Sequence, residues 1–391
     1  MIREGHALLT VLILITTFIF SETNVLASEP KEPRIEERHL QKDKEPIGEN
    51  HEKFSPGDFI FDHIGDSHEW PVMNIGSISV SIPLPVILYS KEKGLIIFWS
   101  TKFNHGHSEY KGFHIGREGE TIEKINPQGE PESIEVKGKI VENLANGKRT
   151  LPFDISITKN VAALFFSVFL ILFIFIHIGN AYKRNPLSPP KGIQSLLEPV
   201  ILFVRDDIAK SSIGEKKYEQ FMPYLLTVFF FIWINNMLGL VPIFPGGANV
   251  TGNIAVTMVL ALFTFVITTI NGNKNYWKHI FNTPGVPIWL KTPPLPIMPI
   301  VEVIGIFTKP FVLMVRLFAN ITAGHIIGLG FLSLIFLFGE INHYLGYGVS
   351  VVSVLFIMFM TLLELLVAFI QAYVFTFLSA IYFGMAVEEH H

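Results

Sequence analysis

The chain has 391 residues, 49% hydrophobic and 16% charged, with a mean hydropathy of +0.42. An ordinary soluble chain carries about a quarter charged residues, so this composition argues against a soluble globular enzyme. With 0 Cys, disulfides, iron–sulfur clusters, thiolate zinc sites and cysteine nucleophiles are excluded, and a net charge of -4 spread over both signs gives no indication of a nucleic-acid partner.

Residues 7–20 form an apolar run too short for a bilayer crossing, which takes about 20 residues. Arg3 precedes the run, and Val25-Leu26-Ala27 before Ser28 offers small residues at a cleavage position. Residues 1–27 therefore read as a cleaved signal peptide. An uncleaved anchor would leave the next domain on the same side. Residues 28–56 carry 6 Lys/Arg and 8 Asp/Glu with almost no bulky apolar side chain. Such a segment cannot bury enough surface to offset its ordering entropy and is expected to be disordered.

From 57 to 157 the pattern changes to short strand-like runs, Ile75–Ile82, Gly94–Thr101 and Ile134–Val141. Turn signals at Asn126-Pro127-Gln128-Gly129 and Asn146-Gly147 separate them, so a small β-rich domain outside the membrane is expected. His51, His63, His68, His105, His107 and His114 lie in this front region without metal-ligand spacing, and read as surface histidines.

Nearly all long apolar runs follow residue 160, giving a membrane body over 158–391. Residues 161–178, 221–243 and 253–270 are three ordinary spans. The runs Pro299–Phe338 and Gly348–Val387 are each 40 residues, about 60 Å of helix across a bilayer core of about 30 Å. They must be steeply tilted or broken. The expected class is thus an all-α polytopic membrane protein of about five crossings, two of them overlong, with a β-rich front domain.

Loop charge sets the orientation. The segment 181–220 holds seven Lys/Arg and 271–298 holds Lys274, Lys278 and Lys291 with no acid, whereas 244–252 has no charge and 339–347 only Glu340. The positive-inside rule then places the first two loops and the C-terminus in the cytoplasm and the front domain outside. Leu196–Ile208 is amphipathic and is expected at the cytoplasmic interface.

In so apolar a chain, intramembrane ionisable groups mark ion paths by default. Glu302, Lys309, Arg316 and Asn320 fall within about 60° of one another on the first overlong helix, with His325 about 180° from Arg316; Glu364, Gln371 and Tyr382 share a face of the second. Arg316 holds its proton at any working pH, so it can attract a carboxylate and block a proton wire but not relay protons. No acid in the chain is its evident partner. Ala319 and Ala323 would let another subunit's helix approach, and a snorkelling or internally paired arginine is the alternative. His325 and Glu364 are the groups able to change protonation near neutral pH. Structural packing is the alternative for them, and for Asn235, Asn236 and Asn253.

No phosphate-binding loop, Rossmann fingerprint or G-x-S-x-G occurs, and no cofactor is expected. Taken together, Lys309-Pro310, Arg316-Leu317-Phe318-Ala319-Asn320 and Ala323-Gly324 resemble the signature of the a subunit of F-type ATP synthases. Asn236-Met237-Leu238-Gly239-Leu240-Val241-Pro242, and Gln371-Ala372-Tyr373-Val374-Phe375 with Tyr382 and Glu388-Glu389-His390, are similar to other segments of that family. The resemblance covers about 155–391 and none of 28–154.

It implies a non-catalytic stator subunit of the bacterial inner membrane, with the c-ring, the subunit b peripheral stalk, the rest of the synthase and the bilayer as partners. It implies that Arg316 faces the ring and that Asn320, His325, Glu364 and Gln371 lie along two aqueous half-channels, with Glu302 and Tyr382 as further polar positions on the path. In many bacterial members the residues at 325 and 364 are Glu and His; here they are exchanged. The implied mechanism passes protons from outside to a ring carboxylate and, after nearly a full turn, on to the cytoplasm. Rival readings are an unrelated ion channel or motor stator, a secondary transporter, and an intramembrane enzyme.

Overall fold

A computed structural model describes residues 55–75, 78–117, 119–125, 131–144, 147–184, 189–241, 244–281 and 297–388. The leader expected over 1–27, nearly all of the charged segment expected over 28–56, and the two turn signals at 126–129 and Asn146 lie outside them. The described residues are a set of long helices preceded by small antiparallel sheets, as the composition break at residue 160 suggests.

The front region opens with a helix the pattern did not suggest, α1 (Pro56–Ile64). The strands follow as β1 (Glu69–Ile75), β2 (Ile78–Pro83), β3 (Pro85–Ser90), β4 (Gly94–Trp99), β5 (Phe113–Ile115), β6 (Thr121–Ile125), β7 (Pro131–Glu135), β8 (Ile140–Asn143), β9 (Arg149–Thr150) and β10 (Phe153–Asp154). They pair as β1-β2, β10-β3-β4, β5-β8-β9 and β6-β7. In β3 and β4, alternation sends Val86, Leu88, Ile96 and Phe98 inward onto Phe103, Phe113 and Ile140. Two expected runs are divided between strands. Ile75–Ile82 is the end of β1 and most of β2, and Ile134–Val141 is split between β7 and β8 by a turn in which Gly138 has φ 73°. The left-handed backbone there favours glycine and breaks the apolar run.

The surface reading of the histidines holds for His63, His105 and His107, which are exposed, and fails for His68 and in part for His114. His68 is buried and its Nε2 lies 3.0 Å from Asp154 Oδ2; His105 Nδ1 is 2.7 Å from Glu69 Oε2 and His114 Nε2 3.0 Å from Glu120 Oε1. Asp154 and Glu69 lie far in sequence from their histidines, which a one-dimensional pattern does not reveal, whereas Glu120 is close to His114 in the chain. His51 lies outside the described residues.

The body begins with α2 (Lys159–Arg184), which buries Ala163, Leu164, Ser167 and Ile171 and exposes Phe165, Phe169 and Phe173. Then α3 (Ile193–Phe203) runs on through a π-helical segment Val204–Lys210 and a last turn Ser211–Ile213. Its apolar side buries Leu197, Val204 and Ile208 while Arg205 and Asp206 stay at the surface, which is the expected amphipathic element. The most enclosed helix is α4 (Tyr218–Leu240), with Phe229, Phe230 and Ile232 at the centre of the core. Asn253 caps α5 (Ile254–Ile270), accepting from the Ala255 amide at 2.9 Å, and α6 (Lys274–Phe281) leaves α5 at 102°.

The two overlong runs are α7 (Ile297–Ile341) and α8 (His343–Val387), each 45 residues or about 67 Å, and both are continuous. Pro310 does not interrupt α7. Asn342 alone joins them, capping α8 by accepting from the Tyr344 amide at 2.9 Å. A Cβ on Gly346 would stand 2.9 Å from the Gly339 backbone, so the hairpin closes there only without a side chain. Among the described residues, four helices are long and apolar enough to cross a membrane, or five if the bent α5–α6 pair is one span.

Two sets of contacts define opposite ends of the body. Trp70 Nε1 of the front region donates to Gly246 O at 3.1 Å, and Trp70 packs edge-on against Phe244. At the other end Lys217 Nζ donates to Val387 O at 3.0 Å and the Asn273 amide to Ala386 O at 2.9 Å.

Candidate functional site

Helix α7 turns Leu313 and Leu317 into the core and leaves Val312, Val315, Arg316, Ala319, Asn320 and Ala323 on an open face. Arg316 makes no ion pair with any described residue. An arginine on an apolar face between small residues is costly within a membrane and by default marks a pairing or an ion path. On either side of it along α7 the structure opens a polar cavity.

The cavity nearer the front region is lined by Asn236 and Leu240 of α4, Asn320, Ile321 and His325 of α7, and Glu364, Val367 and Ala368 of α8, and is small, about 10 Å³, room for about one water. Asn236 is fixed in it from both ends. Its Nδ2 donates to Ala368 O at 3.2 Å and its Oδ1 accepts from Thr251 Oγ1 at 2.6 Å. Glu364 reaches into the cavity against Gly324: a Cβ there would meet the Glu364 carboxyl, the movable end of its side chain. Glu364 Oε1 is buried without a hydrogen-bond partner, as are Thr322 Oγ1, Asn235 Oδ1 and Asn249 Nδ2. Buried polar atoms are normally satisfied, and the Glu364 orphan at the cavity is where an ordered water belongs.

The second cavity, also about 10 Å³, lies toward the other end, between Thr264, Thr268 and Thr269 of α5, Tyr276 of α6, Ile306, Lys309 and Pro310 of α7 and Tyr382 of α8. Lys309 Nζ sits 5.4 Å from the Tyr382 ring centroid, a cation–π contact. Glu302, a further turn and more along α7, is within electrostatic reach of Lys309 and Tyr276. Behind the cavity Tyr224, Thr264 and Ser379 form a hydrogen-bonded row, with 2.8 Å from Tyr224 Oη to Thr264 Oγ1 and 3.1 Å from there to Ser379 Oγ.

The seven residues singled out by sequence therefore fall into three places. Asn320, His325 and Glu364 line one cavity; Tyr382 lines the other, with Glu302 beyond it; Arg316 lies between, about 10 Å along α7 from Lys309 and about 13 Å from His325. Gln371 is buried on α8, seven positions from Glu364 and eleven from Tyr382, so the antiparallel pairing brings it level with Arg316. Helical periodicity had grouped Asn320 with Lys309 and set His325 apart. The structure joins Asn320 to His325 because the cavity is as wide as the gap between α7, α4 and α8. Thr264, Thr268, Thr269 and Tyr276, which line the second cavity, were missed. The spacing Thr257, Thr264, Thr268 on one side of an otherwise apolar helix was the available signal.

The chain's residues 161–384 match the family model described as ATP synthase A chain. The chain belongs to that family. It is 46% identical over 246 residues to ATP synthase subunit a of Chloroherpeton thalassium, covering 61% of this chain and 69% of that protein. It is 47% identical over 247 residues to the same subunit of Chlorobium phaeobacteroides strain DSM 266, covering 61% and 68%, and 46% identical over 243 residues to that of Myxococcus xanthus, covering 61% and 75%. Residues 59–154 match a separate model described as a domain of unknown function, DUF8433. The membrane family thus accounts for the helical body and for both cavities.

Proposed function

We propose that this chain is the proton-translocating stator subunit of an F-type ATP synthase, a channel component without catalysis of its own. The observation that carries the reading is Arg316, exposed and without an ion pair among the described residues on an apolar face of α7, with a small cavity lined by polar residues on either side of it along the helix. A carboxylate on a neighbouring ring of c subunits would give the guanidinium its partner, and Ala319 and Ala323 give that ring room to approach. Protons from outside reach the carboxylate through the cavity of Asn320, His325 and Glu364. The neutral carboxyl then turns into lipid. After nearly a full rotation it releases its proton through the cavity of Lys309, Tyr382 and Tyr276 toward the cytoplasm, with Glu302 at that mouth and Gln371 beside Arg316.

Arg316 keeps the two water-filled paths from joining, because a fixed cation repels a proton that would cross directly. The orientation rests on loop charge: the front domain is periplasmic and the C-terminus cytoplasmic. The remaining partners are the peripheral stalk and the other subunits of the synthase. Each charge crossing 100 mV supplies about 2.3 kcal/mol, so several protons pass for each ATP made.

The test is ATP-driven acidification of inside-out membrane vesicles, wild type against Arg316→Ala at matched assembly of the complex. The reading expects complete loss of the gradient with the complex intact. A normal gradient would overturn it and favour a channel or transporter that works without the ring.

A further inference from the structure

One face of α2 changes character along its length. Phe169, Phe173, Ile176, His177, Asn180 and Arg184 recur at helical spacing and so share one side of the helix. Phe169 is 69% exposed, Phe173 61% and Ile176 59%, so the apolar part of this stripe is bare. Two open grooves run along it and meet at His177 and Asn180. The apolar one, about 430 Å³, is walled by Phe169, Leu172, Phe173 and Ile176. The polar one, about 370 Å³, continues to Arg184 and takes Lys191 and Gln194 from the start of α3. Where they join, the Phe173 and His177 rings stack with centroids 6.4 Å apart. A hydrogen bond between the Tyr182 and Glu198 side chains holds α3 against the end of α2. No carboxylate lines either groove, and none of the ion pairs among the described residues involves Arg184 or Lys191.

We propose that this face binds a phospholipid with an anionic headgroup, the phosphate on Arg184 and Lys191 and an acyl chain along Phe169, Phe173 and Ile176. Helix α2 is long and apolar enough to cross a membrane and carries Lys183 and Arg184 in its last turn. His177 lies eighteen positions after Lys159, the first residue of α2, or about 27 Å along the helix. A hydrocarbon core of about 30 Å therefore ends close to His177, where the apolar groove gives way to the polar one. The Arg184 guanidinium can grip two phosphate oxygens at once, Lys191 adds a second positive charge, and the Asn180 and Gln194 amides are uncharged donors. Basic pockets beside membrane helices hold anionic headgroups in this way. A free phosphate would leave the bare aromatic stripe without an occupant, and an apolar helix of another subunit would leave the two cations without an anion. No residue of the proposed proton path enters the site, so the two readings fail separately.

The experiment places the whole complex in phosphatidylcholine discs containing a trace of phosphatidylglycerol, or of phosphatidylcholine, with a photoreactive group in its acyl chain. After illumination, mass spectrometry reads the label on peptides covering Phe169–Ile176. The phosphatidylglycerol probe is expected to label them about 25-fold more than the phosphatidylcholine probe. That is about fivefold for each of the two cations, equivalent to about 1 kcal/mol per basic residue at an anionic surface. Lys191→Gln is expected to lower the excess about fivefold, and Arg184→Gln combined with it to bring the two probes level, with phosphatidylcholine labelling constant throughout. Lys191→Gln alone decides the matter if the double variant fails to assemble. Excess inorganic phosphate is expected to leave the labelling unchanged. Equal labelling by the two probes in the wild type, or an excess that survives Lys191→Gln, would overturn the inference. So would displacement of the label by inorganic phosphate, which would assign the cations to a soluble anion, and so would protection from both probes, which would assign the stripe to a neighbouring subunit.

Discussion

The front domain and the membrane body both hold histidine and carboxylate, and they treat them in opposite ways. In the front domain His68 meets Asp154 at 3.0 Å, His105 meets Glu69 at 2.7 Å and His114 meets Glu120 at 3.0 Å. Asp154 Oδ1 further accepts from the Ser156 amide at 2.8 Å, and Arg149 Nη1 donates to Glu120 at 2.9 Å. In the membrane body His325 and Glu364 line one cavity, yet Glu364 Oε1 has no partner, and Arg316 has none among the described residues. Satisfied pairs hold a fold together; groups left unsatisfied at a cavity are stabilised only when water, a proton or another subunit supplies the missing partner. The same residue types thus act as structure at one end of the chain and as a path at the other.

That contrast can be broken by mutation. Glu364→Gln removes the titrating group from its cavity and is expected to slow ATP-driven proton pumping by about tenfold at unchanged assembly, equivalent to about 1.4 kcal/mol of added barrier. Pumping at the wild-type rate would place Glu364 with the structural carboxylates. Gly324→Val probes the same point sterically. The new side chain meets the Glu364 carboxyl and is expected to cut the rate several-fold, as read in the same vesicle assay. A normal rate would show that the carboxyl does not need its observed place.

His68→Ala should do the reverse. Pumping is expected to stay near normal, while the front domain loses about 1–3 kcal/mol because Asp154 is left partly buried without its partner. Protease sensitivity of the domain in intact membranes reads that loss. The smallest effect is on pH. Burial pushes the Asp154 carboxyl up, but the His68 hydrogen bond and charge, with Ser156, outweigh it and hold the group below the ordinary carboxylate range. The stability this lends is present above the unfolded carboxylate value of about 4 and fades as pH falls through the lower folded value. Asp154→Asn should therefore flatten the acid dependence of protease protection. An unchanged acid response would assign it to other carboxylates.

Much of this division was visible in the residues themselves. A guanidinium, an imidazole and two carboxylates stand out in runs of Phe, Leu and Ile, because their cost in a membrane makes them rare, so Arg316, His325, Glu364 and Glu302 needed no structure to be noticed. The overlong runs 299–338 and 348–387 were likewise plain from length alone, and the structure extends each to 45 residues. What stayed hidden was made by contacts between distant segments. Thr264 meets Ser379 across 115 positions, Trp70 meets Gly246 across 176, and Lys159 reaches carbonyls more than 90 positions earlier. Hydroxyl side chains are inexpensive in a helix, so Thr264 and Thr268 carry no signal until a neighbouring helix makes them the wall of a cavity. In the front domain the apolar runs misled because a turn at Gly138 sits inside one of them.

The central claim is that two cavities reach water on opposite sides of the membrane with Arg316 between them. The chain has 0 Cys, so single cysteines can be placed on a silent background. The most direct measurement is labelling of Val367→Cys, in the cavity of Glu364, and of Ile306→Cys, in the cavity of Lys309, by a membrane-impermeant thiol reagent applied to each face of sealed vesicles containing the whole complex. Labelling of Val367→Cys only from the periplasmic face and of Ile306→Cys only from the cytoplasmic face is the predicted result. Labelling of both positions from one face would contradict it, since a single continuous path would leave Arg316 nothing to divide.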